Sequence, residues 1–66
     1  MQETYHGRPV EAAAQSLREH GADHYTTTQA IQGGGYVRKS DGTVLNWVPF
    51  KVIDKLNIQR KKGWWE

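Results

Sequence analysis

An Asp41-Gly42 step between two runs of strand-forming residues constrains the fold of this chain more than any other feature. Asp-Gly is favoured in type I′ turns, because both central residues of such a turn need positive φ. Residues 36–40 precede the step and residues 43–48 follow it, so the pattern predicts a β-hairpin. The predicted cross-strand pairs are Tyr36–Trp47, Arg38–Leu45 and Ser40–Thr43.

A hairpin alone is marginally stable, so this one must gain a third strand or pack on a helix. The chain has 66 residues and no cysteine, which leaves neither disulfides nor a thiolate metal site to support a small core. A chain of this length buries only about 60% of the surface that it exposes when unfolded. We therefore expect one small domain that is frayed over residues 1–7, and residues 60–66 could be frayed as well.

Two helices flank the hairpin in the sequence pattern. The first is predicted to begin at Pro9 and to end before Gly21. Its apolar residues follow a period of 3.6, at Val10, Ala13, Ala14 and Leu17. Proline cannot continue a paired central strand but can open a helix, so a second helix is predicted from about Pro49 to Asn57. The apolar stripe of that helix consists of Val52, Ile53 and Leu56.

Residues 24–32 fit two structures. The three threonines of this segment are β-branched and favour a strand. The spacing Thr26-x-x-Gln29 also fits a capping box that begins a short helix, which Gly33 would end. The sequence thus predicts an α+β fold with an N-terminal helix, a central hairpin and a short C-terminal helix. A strand here would complete a three-stranded antiparallel sheet, and a helix over residues 26–32 would give a winged-helix-like fold.

Patterns that carry catalytic or metal chemistry are sparse. The two serines, Ser16 and Ser40, lie in no motif that places an oriented base beside them. His20 and His24 have the spacing of two ligands on one helix, but Gly21 interrupts that helix and no third ligand is evident. We therefore expect no enzymatic activity, no metal site and no cofactor.

The sequence predicts a cytoplasmic protein without a membrane partner. The absence of cysteine is typical of a reducing compartment, where small proteins do without disulfides. No run approaches the roughly 18 apolar residues that would span a bilayer. The first residues have neither a charged lead nor an apolar run, so we expect no signal peptide.

The cations concentrate in the second half of the chain. Nine Lys and Arg against seven Asp and Glu give a net charge of +2. Clustered cations bind phosphates, so a polyanionic partner should meet this half. The predicted phosphate contacts are Arg38, Lys39, Lys51, Lys55, Arg60, Lys61 and Lys62. The alternative is that these side chains only solvate the outside of a helix and a tail.

Residues 41–56 run from the hairpin turn through a Trp-Val-Pro step into a helix with an aliphatic stripe. This quarter of the chain resembles the wing and closing helix of excisionase-like winged-helix DNA-binding domains. The resemblance implies that Val10–His20 is the first helix and Thr26–Gln32 a short recognition helix. It implies base contacts by Gln29 and Gln32, and backbone or minor-groove contacts by the hairpin around Arg38 and Lys39.

Two functions follow as hypotheses. The first is a small non-enzymatic DNA-binding protein, an accessory recombination factor or a transcriptional regulator, with double-stranded DNA as its partner. The alternative is a protein-binding module, such as a phage- or plasmid-type inhibitor that occludes a larger host protein. A helix over residues 24–32 would favour the first and a strand the second. Either could act as a homodimer.

Overall fold

The computed structural model describes residues 3–61. Over these residues it has an α+β fold, as the sequence predicts, and it consists of two helices, a four-stranded sheet and a two-stranded hairpin. Its elements are β1 (Thr4–Tyr5), β2 (Arg8–Pro9), α1 (Val10–Glu19), β3 (His24–Thr26), β4 (Gly34–Arg38), β5 (Val44–Pro49), α2 (Phe50–Leu56) and β6 (Gln59–Arg60).

The segment that the sequence left open is a strand followed by a loop. Residues 24–26 form β3, and residues 27–33 contain no helix. The hydroxyl of Thr28 accepts the N–H of Ile31 at 3.1 Å, a local turn that competes with helical hydrogen bonding. The recognition helix implied over Thr26–Gln32 is therefore absent. The winged-helix expectation fails at this point. β3 pairs antiparallel with the hairpin, as in the three-stranded alternative, and a fourth strand extends the sheet further.

The sheet has the strand order β5-β4-β3-β6. The first three strands pair antiparallel, whereas β6 runs parallel to β3. Between β5 and β6 the chain passes through α2, which lets it return to the far edge of the sheet. The Lys61 N–H then donates to the Tyr25 carbonyl at 2.9 Å. The two-residue strand β6 extends the sheet beyond what the sequence predicts.

The hairpin register is partly as predicted. Tyr36 lies opposite Trp47, but Arg38 lies opposite Val44 and not Leu45. The difference arises from an irregularity in the ladder between Val37 and Arg38. A bulge of this kind adds one residue to β5 and shifts the pairs nearer to the turn.

The turn itself differs from the type I′ prediction. The Gly42 N–H donates to the Lys39 carbonyl at 2.9 Å, so Ser40 and Asp41 are the central residues. Gly42 has a φ of 94°, whereas neither central residue has positive φ. This is a type I turn followed by a left-handed glycine. It is stabilised locally because Asp41 Oδ1 accepts the Thr43 N–H at 2.9 Å. The predicted Ser40–Thr43 pair is therefore absent.

Residues 4–9 are paired, and part of this segment lies within residues 1–7, which were expected to be frayed. β1 and β2 form a small antiparallel hairpin, and the two residues between them, His6 and Gly7, have φ values of 54° and 76°. Tyr5 packs against the core. Two-residue strands carry too little periodicity to be recognised in a sequence, although His-Gly fits a turn that needs positive φ at both central positions.

Both helices pack on one face of the sheet, called here the inner face. Val37 and Val48 project from β4 and β5 into this layer and are almost completely buried. The helical residues packed there are Val10, Ala14, Val52, Ile53 and Leu56. They belong to the predicted apolar stripes, which confirms both helices. Arg18 on α1 also donates a hydrogen bond to the Lys55 carbonyl on α2.

The outer edge of β5 has its hydrogen-bonding groups occupied around Trp47. The Trp47 N–H donates to Asn46 Oδ1 at 2.9 Å, and the Tyr5 hydroxyl lies 3.5 Å from the Trp47 carbonyl oxygen. Pro49, two residues on, has no N–H to donate. Trp47 therefore directs its backbone groups away from β4, and it faces Tyr36 as a pair without mutual hydrogen bonds.

We predict that Gly34→Ala destabilises the fold. A Cβ at this position would lie 2.7 Å from Trp47 Cζ2, 2.8 Å from Pro49 Cα and closer still to the Val48 carbonyl oxygen. Two of these neighbours are backbone and cannot rotate away. The expected loss in the free energy of unfolding is about 1–3 kcal/mol, measured by urea denaturation. Gln32→Ala, on the exposed loop nearby, is the control, and an equal loss in both variants would contradict the packing argument.

Candidate nucleic-acid interface

The sheet presents a second face away from the helices, called here the outer sheet face. Because side chains alternate along a strand, the residues between the buried positions point to this side. Cross-strand pairing aligns them in rows, since Thr26 lies opposite Tyr36, Tyr36 opposite Trp47, and His24 opposite Arg38. The outer sheet face thus consists of His24, Thr26, Tyr36, Arg38 and Trp47. Tyr36, Arg38 and Trp47 are half-buried, whereas His24 and Thr26 are buried.

Tyr36 and Trp47 are cross-strand neighbours in the middle of this face and are called here the aromatic pair. The indole of Trp47 extends across the start of β4, where Gly34 has no side chain to obstruct it. Its Nε1 is buried and has no hydrogen-bond partner among the described residues. Nε1 and Cζ2 belong to the same edge of the indole, so this edge faces the sheet and the rest of the ring points outward. Both rings are half-buried and keep part of their surface accessible.

Arg38 is fixed across the neighbouring row. Its Nε donates to Thr26 Oγ1 at 3.0 Å, and one terminal nitrogen donates to the Gly42 carbonyl at 2.8 Å. These bonds tie the guanidinium both to β3 and to the hairpin turn, and they help to bury Thr26. A side chain held at two points has little rotational freedom left to lose on binding a ligand.

A charged cluster lies beside this row, where β3 begins. Asp23 Oδ2 lies 2.9 Å from His24 Nδ1 and 3.8 Å from Lys61 Nζ. The hydrogen bond from His24, with the nearby Lys61 ammonium, holds the pKa of Asp23 below its ordinary value. An ionised carboxylate only accepts, so Nδ1 is the protonated ring nitrogen of His24 in this contact. The Asp23 N–H also donates to the Arg38 carbonyl at 2.8 Å, which joins the cluster to β4.

The four strands of the sheet contain no acidic residue. Their sequences, His-Tyr-Thr, Gly-Gly-Tyr-Val-Arg, Val-Leu-Asn-Trp-Val-Pro and Gln-Arg, include two arginines and one histidine. The acids of residues 3–61 lie on helices, in turns or at strand ends. The charged residues of the strands themselves are therefore basic, which favours an anionic ligand, while one acid, Asp23, lies directly before β3.

The structure brings some of the predicted phosphate contacts together. Lys39 follows Arg38 directly and is exposed, and its aliphatic chain passes close to Gly21. The Lys61 ammonium reaches the same region through Asp23. Arg60 belongs to the adjacent edge strand and is exposed. This end of the sheet thus gathers Arg38, Lys39 and Lys61, with Arg60 beside them. Lys62 lies outside the described residues.

Lys51 and Lys55 lie elsewhere, on α2 in the helical layer. They line an open groove of about 550 Å³ together with three acidic residues, Glu3, Glu11 and Asp54. Lys55 Nζ lies 4.0 Å from Glu11 Oε1. These two lysines are separated from the basic end of the sheet by position. A neighbouring acid does not distinguish them, because Lys61 Nζ lies 3.8 Å from Asp23 Oδ2.

The two glutamines predicted to read bases, Gln29 and Gln32, are exposed on the loop of residues 27–33. No helix presents them to a groove. The aromatic pair, in contrast, appeared in the sequence only as a stabilising cross-strand contact. The absence of acids from residues 24–26, 34–38 and 44–49 is visible in the sequence and is the signal that could have pointed to this surface.

Neither α1 nor α2 has the length and hydropathy needed to span a bilayer. Within residues 3–61, no group of three His, Asp or Glu residues comes together as metal ligands would. Comparisons of the chain with protein-family models, with curated proteins and with solved structures found no match.

We predict that stability falls in acid partly through Asp23. Contacts in the folded state lower the pKa values of Asp23 and Asp41 from the ordinary 3.8, the first through His24 and the second through the Thr43 backbone. Depressed carboxyl pKa values contribute stability that is present above the unfolded pKa and is lost as pH falls through the folded one. The free energy of unfolding should therefore drop below about pH 4.

Asp23→Asn should make this acid-induced drop shallower, as measured by urea denaturation across the acid range. Asp54→Asn removes an exposed carboxylate on α2 away from these contacts and serves as the control. Equal slopes for Asp23→Asn and the unsubstituted chain would show that the Asp23 contacts are not formed in solution.

Proposed function

We propose that this chain is a small, non-catalytic nucleic-acid-binding protein that uses the outer sheet face and the basic end of its sheet. The observation that carries the proposal is an acid-free sheet whose outer face combines an aromatic pair with Arg38, next to Lys39 and Lys61. Proteins that bind nucleic acids without a recognition helix combine two components: aromatic rings on which bases stack, and clustered cations that bind the phosphates.

The proposed partner is polyanionic, as expected from the sequence. The element that binds it is the sheet surface and not a recognition helix. A recognition helix over residues 26–32 was the basis for reading duplex DNA through a groove, and β3 and a loop occupy that segment. Contact through the strand surface makes Lys39 and Lys61 the phosphate ligands. Lys51 and Lys55 are left out of the proposed interface because α2 places them in the helical layer, away from the outer sheet face.

The rest of the proposal follows from composition and site chemistry. We place the protein in the cytoplasm, because a cysteine-free chain suits a reducing compartment. We propose no reaction for it, since the Asp23–His24 contact has no described nucleophile in hydrogen-bond range to activate. A role in recombination or transcription remains a prediction from the resemblance of residues 41–56.

Removing two lysines at the basic end should weaken binding and its dependence on salt. For the double variant Lys39→Gln, Lys61→Gln, we expect the slope of log K against log salt to shrink by roughly 0.7–0.9 for each phosphate that a lysine no longer neutralises. Fluorescence anisotropy with labelled single-stranded and duplex oligonucleotides, between about 50 and 200 mM salt, measures it.

The matched control is Lys51→Gln, Lys55→Gln, which removes the same charge from the helical groove. It should leave the salt slope near that of the unsubstituted chain. Equal reductions in the two double variants would mean that only net charge matters, and the proposed interface would then be wrong. Absence of salt-dependent binding to either oligonucleotide would refute nucleic-acid binding itself.

A second candidate, a protein-binding module, is favoured by a different observation. Ile31 and Phe50 are each 43% exposed and lie at the same end of the sheet, where the Phe50 N–H donates to the Gly33 carbonyl at 3.1 Å. Exposed aliphatic and aromatic side chains that lie together can anchor a partner. The strand at residues 24–26 is also the structure that this hypothesis anticipated from the sequence.

For this candidate, a photo-reactive phenylalanine analogue in place of Ile31 should cross-link one defined protein in a nuclease-treated lysate. The same analogue in place of Val44, which is 45% exposed at the opposite end, is the control. Mass spectrometry of the adducts reads the result. A common set of adducts from both positions would mean that the apolar end is not a docking surface.

A further inference from the structure

We infer that the preferred ligand is single-stranded nucleic acid, whose unpaired bases stack on Tyr36 and Trp47. The inference rests on the proposed function and specifies the ligand of the same surface. DNA and RNA share this chemistry, and the experiment below separates them.

Tyr36 and Trp47 are direct cross-strand neighbours on the outer sheet face. The Trp47 N–H and C=O bond to Asn46 and Tyr5, so Trp47 and Tyr36 form the closer, non-hydrogen-bonded type of cross-strand pair. Their Cβ atoms should then be about 4.5–5.5 Å apart. Two half-exposed rings at this distance offer adjacent platforms, and every base has a π-face that can use them.

The positive charges near the aromatic pair are complementary to the phosphate backbone of a nucleic-acid strand. Arg38 follows Tyr36 by two residues, about 7 Å along β4. Lys39 follows Arg38 and its side chain passes Gly21, and the Lys61 ammonium lies 3.8 Å from Asp23 Oδ2, just before β3. A chain of nucleotides placed along β4 would therefore have bases over the rings and phosphates near cations. No acidic residue of the four strands opposes this path.

The width of the sheet argues against a regular duplex as the partner. Four strands span three spacings of about 4.8 Å, or roughly 14 Å between the outer strands. The major groove of B-form DNA is about 12 Å wide and admits a helix or a two-stranded ribbon. In a duplex the base faces are also already stacked on one another. Only unpaired bases can reach the centre of the outer sheet face while they keep their backbone over the cations.

The decisive variant is Tyr36→Ile, which keeps a strand-forming residue and removes the ring. Its affinity for oligothymidylate of about ten nucleotides should fall roughly 5- to 150-fold, the usual effect of removing one aromatic ring from beneath a stacked base. Tyr36→Phe keeps the ring and should stay close to the unsubstituted chain. Trp47→Phe is a second test with a smaller expected loss of affinity, since its ring also packs over Gly34.

The aromatic control is Phe50→Leu. Phe50 is an exposed aromatic at the start of α2 and makes an edge-to-face contact with Tyr25, which points to the inner face. Its removal should leave affinity unchanged. Thermal unfolding of each variant separates loss of fold from loss of binding. In ¹H–¹⁵N spectra, oligothymidylate should shift the amides of β4 and β5 and leave those around Lys51 and Lys55 in place.

Four probes distinguish the outcomes: oligothymidylate, oligouridylate, a duplex of equal length and inorganic polyphosphate. Tighter binding of either single strand than of duplex and polyphosphate, with weaker binding by Tyr36→Ile, supports the inference, and the tighter single strand identifies DNA or RNA. Binding of duplex or polyphosphate at equal or greater strength, or an unaffected Tyr36→Ile, overturns it while nucleic-acid binding stands. Failure to bind all four overturns both proposals.

Discussion

The fold depends on close approach at the start of β4, where Gly34 and Gly35 stand side by side. A Cβ at Gly35 would meet the Thr26 carbonyl at 2.8 Å and Tyr25 Cδ2 at 3.0 Å on the inner side. At Gly34 it would meet the Trp47 ring on the outer side. This stretch of β4 therefore allows α2 to pack closely through Ile53 on one face and the indole to extend across the sheet on the other. The packing of the helical layer and the position of the aromatic pair therefore depend on the same constraint, the absence of side chains at Gly34 and Gly35.

The sequence predicted the elements whose signals are long and periodic. The stripes beginning at Val10 and Val52 each became a buried helix face, and the proline at position 49 fell at a strand-to-helix junction. The errors occurred where two structures share one local pattern. The Asp-Gly dipeptide occurs both in type I′ turns and in type I turns followed by a left-handed glycine, and only the hydrogen-bond pairing of the two strands distinguishes them. Strand β6 pairs through backbone groups alone, so its two residues carried no signal.

The site was less predictable than the fold, because position along the chain does not measure distance across a sheet. Seven cations of the second half looked like one patch. Folding separates Lys51 and Lys55 from it, since α2 turns its outer side towards the acids of α1 and the first residues. It also brings Asp23, from the acidic first third, beside Lys61. The hairpin pattern anticipated Tyr36 opposite Trp47, whereas the register of β3 on β4, which places His24 opposite Arg38, joins distant segments and has no signal in the spacing of the sequence.

The occupied edge of β5 has a consequence for self-association. A sheet grows when a second strand bonds to free N–H and C=O groups along an edge, and small proteins with such edges tend to assemble into dimers or fibrils. Here an added strand would have to displace the side chains of Asn46 and Tyr5 from the Trp47 backbone N–H and C=O groups. It would also find no N–H donor at Pro49. Growth of the sheet is blocked on this side. A second copy could add a strand to β5 only by breaking these bonds, which disfavours self-association through this edge.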